Sequence, residues 1–123
     1  MEEYIRHGIG AVRPYLYGDE ATLRVMEAFG AQVVERIGGH AELRIGDSML
    51  VVEVSEEWPE TQPRQSTYVY VGDVDLTYGH AVAAGATSVA EPTDKPYAER
   101  SCTLRDTFGN TFYVSTYVGP HAP

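Results

Sequence analysis

An internal repeat constrains this chain more than any other feature. The stretch YLYGDEATLRVMEAFGAQVVE, residues 15–35, is answered by YVYVGDVDLTYGHAVAAGATSVAE, residues 68–91. In the first copy Tyr15 to Tyr17 alternates like a strand, Asp19 is placed to cap a helix, and Gly30 is placed to end it. Leu23, Met26 and Phe29 give that helix an apolar side. Ala31 to Ile37, rich in Val and Ile, reads as the next strand, and HAELRIGDSMLVVEV as two more joined at Gly46-Asp47. The second copy keeps the order. It has a strand over Thr67 to Val71, Asp73 as cap, a helix to Gly85, a strand over Ala86 to Glu91, and SCTLRDTFGNTFYVSTYV turning at Gly109-Asn110.

Each half therefore reads β-α-β-β-β. Alone, such a half leaves one face of a small open sheet unpartnered, so two halves sharing a core are predicted. The expected fold class is α+β, one domain over residues 1–123 with modules at about 10–54 and 66–118. SEEWPETQPRQ, Ser55 to Gln65, sets two prolines and several charges around Trp58 and is read as the linker.

Charge and cysteine count exclude several classes of function. The 18 acids against 9 bases leave a formal charge of −9 spread along the chain, a field that repels phosphate backbones, so no nucleic-acid partner is expected. Such a surface serves solubility, and it also attracts cationic ligands. No apolar run approaches the roughly 20 residues of a membrane helix, and MEEYIRHGIG has no apolar signal core, so a cytoplasmic protein is expected. The single cysteine, Cys102, can form neither an internal disulfide nor a cysteine-based zinc site and is read as a buried, inert thiol. The chain also lacks a Gly-rich phosphate loop, a His-x-His pair and a Gly-x-Ser-x-Gly elbow.

The doubled unit, with FGAQVVE answering AGATSVAE and with HAELRIGDSMLVV and LRDTFGNTFYV closing the halves, resembles the vicinal oxygen chelate superfamily of glyoxalases, bleomycin-resistance proteins and extradiol dioxygenases. RPYLYGDEA, HAELRIGDSML and PYAERSCTLRDTFGN look most like its PhnB-like branch. The resemblance covers about residues 10–118 and implies two sheets curling into a half-open barrel, helices outside and ligand on the concave side. It also implies a homodimer whose cavities are walled by both subunits.

Enzymes of that superfamily hold a divalent metal with four His or Glu side chains, one near the start of each module's first strand and one in each module's last. The metal polarises substrate oxygens and stabilises developing negative charge. Counting from the repeated landmarks, seven residues before Asp73 is Ser66 and four after Gly109 is Tyr113. The same counts in the first module reach Val12 and Leu50, and a one-residue gap moves Val12 to Arg13. Valine and leucine donate nothing, serine and tyrosine are weak neutral ligands, and arginine repels a dication. His40 begins the third strand, and Glu53, three residues past Leu50, is expected to turn to the face opposite Leu50, so no substitute set converges. His7, His80 and His121 are read as solvated. No metal, cofactor or catalytic residue is expected.

Alternation then lines the hollow. Tyr15 and Tyr17 face in with Leu16 facing out; Ser66, Tyr68 and Tyr70 face in with Val69 and Val71 toward the helices; Tyr113 faces in. Five of nine tyrosines fall on this surface, and stacking on one such ring adds roughly 0.5–1.5 kcal/mol beyond area burial. His40, Ser66 and Arg100 are candidate polar contacts, and Trp58 in the linker and Tyr97 in the stretch TDKPYAER, residues 93–100, read as a loop, are candidate rims or lids. The alternative for the tyrosines is a dimer interface or a filled core. The expected function is metal-free binding of a small aromatic or polycyclic molecule, as when a resistance protein sequesters a toxic natural product. The alternatives are a metal-dependent lyase, epimerase or oxygenase, and a metal-free enzyme using His40 with Tyr113 or Tyr97 as acid and base.

Overall fold

The computed structural model describes residues 4–57, 59 and 63–120. Its first half runs β1 (Tyr15–Gly18), α1 (Glu20–Ala28), β2 (Gln32–Ile37), β3 (His40–Ile45) and β4 (Ser48–Val54). The second runs β5 (Ser66–Tyr70), α2 (Val74–Ala83), β6 (Thr87–Lys95), β7 (Glu99–Arg105) and β8 (Thr111–Tyr117). No helix among the described residues is long and apolar enough to cross a membrane.

Both helices are delimited by the same local chemistry. Asp19 accepts the Thr22 amide at 3.0 Å while the Thr22 hydroxyl accepts the Asp19 amide at 3.1 Å, and Asp73 accepts the Leu76 amide at 3.1 Å. At the other end Gly30 and Gly85 take φ of 102° and 120°, which lets the amides of Ala31 and Ala86 reach back to the Met26 and Ala81 carbonyls at 3.0 Å.

The strands form two four-stranded sheets in the orders β1-β4-β3-β2 and β5-β8-β7-β6, and no closed barrel results. In each, the module's first strand lies parallel to its last and the remaining pairs are antiparallel. One core joins the halves: Leu16, Leu43, Leu50 and Val52 from the first sheet, Val69, Leu104, Phe112 and Val114 from the second, and Leu23, Val25, Met26, Val74 and Ala81 from the helices. Each Val, Leu, Met or Phe side chain among them, fully buried, contributes roughly 1.5–3 kcal/mol. Phe29 meets Phe112 edge-on across the seam, centroids 5.3 Å apart. The helices thus cover one face of each sheet, and the other face is left free of helix.

Polar side chains reinforce the seam. Fully buried Asn110 donates Nδ2–H to the Tyr17 carbonyl at 2.7 Å and to Asp106 Oδ2 at 2.9 Å, and its side-chain oxygen accepts the Gln65 amide at 3.1 Å. Thr107 donates to the capping Asp19 at 2.6 Å, so the cap of α1 is completed by the second module.

Two local expectations are corrected. The β7–β8 connection is a five-residue loop over Asp106 to Asn110, because the Asp106 carboxylate accepts the amides of Phe108 and Asn110 and shapes a wider turn than Gly46-Asp47 makes. β6 continues past Glu91 to Lys95, through Pro92, with register shifts between Ser88 and Thr93. An edge strand tolerates proline and bulges because one of its sides needs no ladder hydrogen bonds. The segment read as a loop from Thr93 to Arg100 is therefore mostly hairpin, with Tyr97 at its tip.

Candidate binding site

Register decides which side chains share the helix-free faces. On the second sheet Tyr68 pairs with Tyr113 and Tyr70 with Ser115, and β7 sets Ser101 beside Ser115 and Glu99 beside Tyr117. The rings of Tyr68 and Tyr70 lie 5.4 Å apart, and those of Tyr68 and Tyr113 are stacked at 6.5 Å with an interplanar angle of 25°. These three rings are 42–61% exposed, which leaves their faces open to a ligand. Beneath them lies Glu99, only 7% exposed. Its carboxylate accepts hydrogen bonds from the hydroxyls of Tyr68, Tyr70 and Ser115, the last at 2.7 Å, and Ser101 bonds Ser115 at 2.6 Å. The donated hydroxyls of Tyr68, Tyr70 and Ser115 hold the carboxyl below its ordinary range. Reciprocally, hydrogen bonding to Glu99 pushes Tyr70 up to about 12 and raises Tyr68.

The first sheet is different. Tyr15 pairs with Val51 and Tyr17 with Glu53, their rings in edge contact at 5.9 Å. Burial, the Tyr17 hydroxyl and Glu53 together raise the Tyr15 phenol well above the usual tyrosine value. His40 lies opposite Glu53 on the neighbouring strand and its Nδ1 hydrogen-bonds that carboxylate. Glu42, 2% exposed, receives Arg13 at 2.6 Å and lies 3.4 Å from Arg6, while Arg6 also grips Glu35 through two hydrogen bonds. The segment that supplies these arginines crosses the sheet closely. A Cβ on Gly10, whose φ is +75°, would meet Met49 Cβ at 2.8 Å.

Three sequence readings change here. Leu50 is buried among the helix-facing core residues, and Val51 is the partner of Tyr15 as Tyr113 is of Tyr68. The count from the turn glycine slips because one connection has two residues and the other five, and a one-residue slip turns a strand side chain to the other face. For the same reason Glu53 shares a face with His40 and converges on it. Arg100 lies on the helix side, where it donates to Asp75 at 2.8 and 3.1 Å and to Asp94 at 3.2 Å, so it does not reach the tyrosines. Its neighbour Glu99 occupies the helix-free face instead. Carrying the alternation of Leu104 and Cys102 back two residues assigns Arg100 to their side, which was the available signal. Tyr15, Tyr17, His40, Tyr68, Tyr70 and Tyr113 lie on the two helix-free faces, Ser66 is exposed at the start of β5, and Tyr97 is 56% exposed. Trp58 lies outside the described residues. Cys102 is buried, and burial pushes its thiol up to about 11, away from nucleophilic use.

Strand register maps Ser66 and Tyr113 of the second module onto Arg13 and Val51 of the first, and these four side chains do not make a donor set that fits a divalent cation. Donor atoms of His7, Glu35 and Glu42 do approach within 4.8 Å of one another. The same carboxylates are already bonded by Arg6 and Arg13, whose positive charge opposes a dication.

A cavity of about 370 Å³ opens where the modules meet, lined by Val12, Pro14, Ser48 and Met49 from one half and by Thr67 to Tyr70 from the other. That is the size range of small-molecule pockets. A depression of about 640 Å³ lies between the start of α1 and Val54 to Glu56, with charged Asp19, Glu20, Arg24 and Glu56 among its lining residues; it carries none of the tyrosines.

Solved structures share this architecture. TioX from Micromonospora sp. ML1 is 25% identical, with a TM-score of 0.67 over 93% of this chain and 99% of that one. A glyoxalase/bleomycin resistance protein/dioxygenase family enzyme from Burkholderia phytofirmans PsJN is 22% identical, with a TM-score of 0.68 over 88% of this chain and 98% of its own. Lactoylglutathione lyase from Agrobacterium tumefaciens is 20% identical, with a TM-score of 0.61 over 86% and 92%. No curated protein matches the chain in sequence. The family model of the Glyoxalase/Bleomycin resistance protein/Dioxygenase superfamily matches residues 22–114, more than half of the chain, and the protein belongs to that superfamily.

Proposed function

We propose that this protein binds a small planar aromatic or polycyclic molecule on its helix-free face, without metal, and sequesters it unaltered. The observation that carries the reading is the open cluster of Tyr68, Tyr70 and Tyr113, whose rings present flat apolar faces while Glu99 fixes two of their hydroxyls. Rings held in this way lose little further freedom on binding, which favours affinity. Tyr15, Tyr17 and Ser66 extend the surface and Tyr97 rims it. A second copy of the chain closes the site: β6 is exposed along nearly its whole length, and pairing of two chains would wall both cavities. The superfamily includes both binders and enzymes, so the fold alone does not choose between them.

Thermal-shift measurements against a panel of polycyclic natural products test this, because a ligand that binds only the native state stabilises it in proportion to RT ln(1 + [L]/Kd). The expected result is stabilisation without added metal, diminished in Tyr113→Ala, with the compound recovered chemically unchanged by mass spectrometry. A chemically altered compound, or stabilisation only with added Mn²⁺, Fe²⁺ or Zn²⁺, would sink the sequestration reading.

One observation favours a second reading. The hydrogen-bonded pair of His40 and Glu53 beside Tyr15 is a base and its orienting carboxylate, the arrangement of a metal-free acid–base enzyme. Loss of turnover in His40→Ala with binding retained would select it.

A further inference from the structure

We infer that Glu99, sunk beneath Tyr68 and Tyr70, is the counter-ion that makes this face select a positively charged planar aromatic ligand over a neutral one of the same outline. The inference rests on the binding role proposed above and specifies its chemistry. A carboxylate offers about four acceptor sites, and three neutral hydroxyls approach Glu99. They solvate the charge without cancelling it. Among the described residues no Lys, Arg or His nitrogen forms an ion pair with Glu99. Lys95, its partner across β6, is exposed and forms no ion pair with it, and Arg100 points to the other side. A carboxylate solvated only by neutral hydroxyls keeps its full negative charge, so the face attracts a cation.

The tyrosines complete such a site. Their hydroxyl protons are committed to Glu99, so their exposed ring faces present the negative side of the π-system to a ligand. A cation within about 6 Å of a ring centroid gains cation–π attraction on top of its attraction to the carboxylate. Delocalised aromatic cations suit this geometry better than a compact ammonium, because they shed water more easily and stack as they bind. The chain's net charge of −9 speeds their encounter.

Fluorescence titration of the full chain with N-methylacridinium, permanently cationic, and with acridone, neutral and of similar outline, tests the inference. Wild type is expected to bind the acridinium about tenfold or more tightly than acridone, the gain typical of a charge-assisted contact. Glu99→Gln is expected to erase that gap, bringing the ratio of the two affinities to about one whatever their absolute values, and Tyr70→Phe, which keeps the carboxylate, to preserve it. Equal binding of both probes to wild type overturns the role of Glu99 without need of any variant and leaves the binding role standing. So does a gap that survives in Glu99→Gln or disappears in Tyr70→Phe. Binding of neither probe by wild type overturns both readings together.

Discussion

The third strands of the two modules each carry a nearly buried carboxylate on the helix-free face, Glu42 on β3 and Glu99 on β7. Glu42 is neutralised from within the chain: Arg13 and Arg6 come from the segment before β1 and close over that part of the first sheet, where Met49 is 1% exposed. Glu99 is held by hydroxyls alone, under rings that stay open. One β-α-β-β-β frame thus yields one acid covered by arginines and one lying under open rings. The difference lies in what the chain places over each acid, not in how the strands pair. A repeated fold duplicates the scaffold, and the first module pairs its acid with arginines while the second surrounds its own with hydroxyls.

The sharpest way to break this contrast is to uncover the first acid. Arg13 is 14% and Glu42 3% exposed in their side chains, so Arg13→Ala leaves a buried carboxylate with only the looser Arg6 contact at 3.4 Å, a change expected to destabilise by up to about 3 kcal/mol. Chemical denaturation measures it. Combining Arg13→Met with Glu42→Leu is expected to recover most of the loss, because an apolar pair of similar volume needs no desolvated charge. If Arg13→Ala unfolds no more easily than wild type, Glu42 is not anchored as described, and the two faces differ less than the structure indicates.

Much of the fold was legible because its signals are local. Asp19 with Gly30 and Asp73 with Gly85 announce both helices within a few residues, and Gly46-Asp47 announces its hairpin. What was not legible depends on neighbours in space. Pro92 and the charges around it read as loop, and only pairing with β7 makes that stretch a strand. The count from Gly46 reaches Leu50 instead of Val51 because the two connections differ in length, a difference set by Asp106 closing the longer one. The aromatic wall followed from alternation along β5 and β8. Glu99 did not, since its partners come from two other strands and reading TDKPYAER as a loop hid its phase.

A second test works on the second acid by titration. Tyr70 is raised in the native state to about 12, above its unfolded value of about 10. Its contribution to stability is therefore complete below pH 10 and is lost as pH rises through the native value. Glu99 is depressed, so its contribution is complete above the ordinary carboxylate range and is lost as pH falls through the native value. Glu99→Gln removes the charge that opposes phenolate formation. In alkaline difference spectra at the phenolate band, the late-ionising tyrosines of the wild type are expected to shift toward the ordinary value in the variant. Curves that superimpose would mean that Tyr68 and Tyr70 do not lean on Glu99.

The smallest effect separates the modules at their helix starts. Asp73 caps α2 through one amide at 3.1 Å and is exposed. Asp19 caps α1 in a reciprocal box with Thr22, and its second oxygen takes the hydroxyl of Thr107 from the other module. Replacing a capping aspartate by alanine costs about 1 kcal/mol in general. Asp73→Ala is expected at or below that figure, whereas Asp19→Ala also frees Thr107 and weakens the seam that Asn110 and Phe29 hold, so it should exceed it. Crossing Asp19→Ala with Thr107→Val isolates the excess. A coupling energy near zero would assign the seam to Asn110 and the apolar contacts, and a clear positive one would show the first helix depending on the second module for its start.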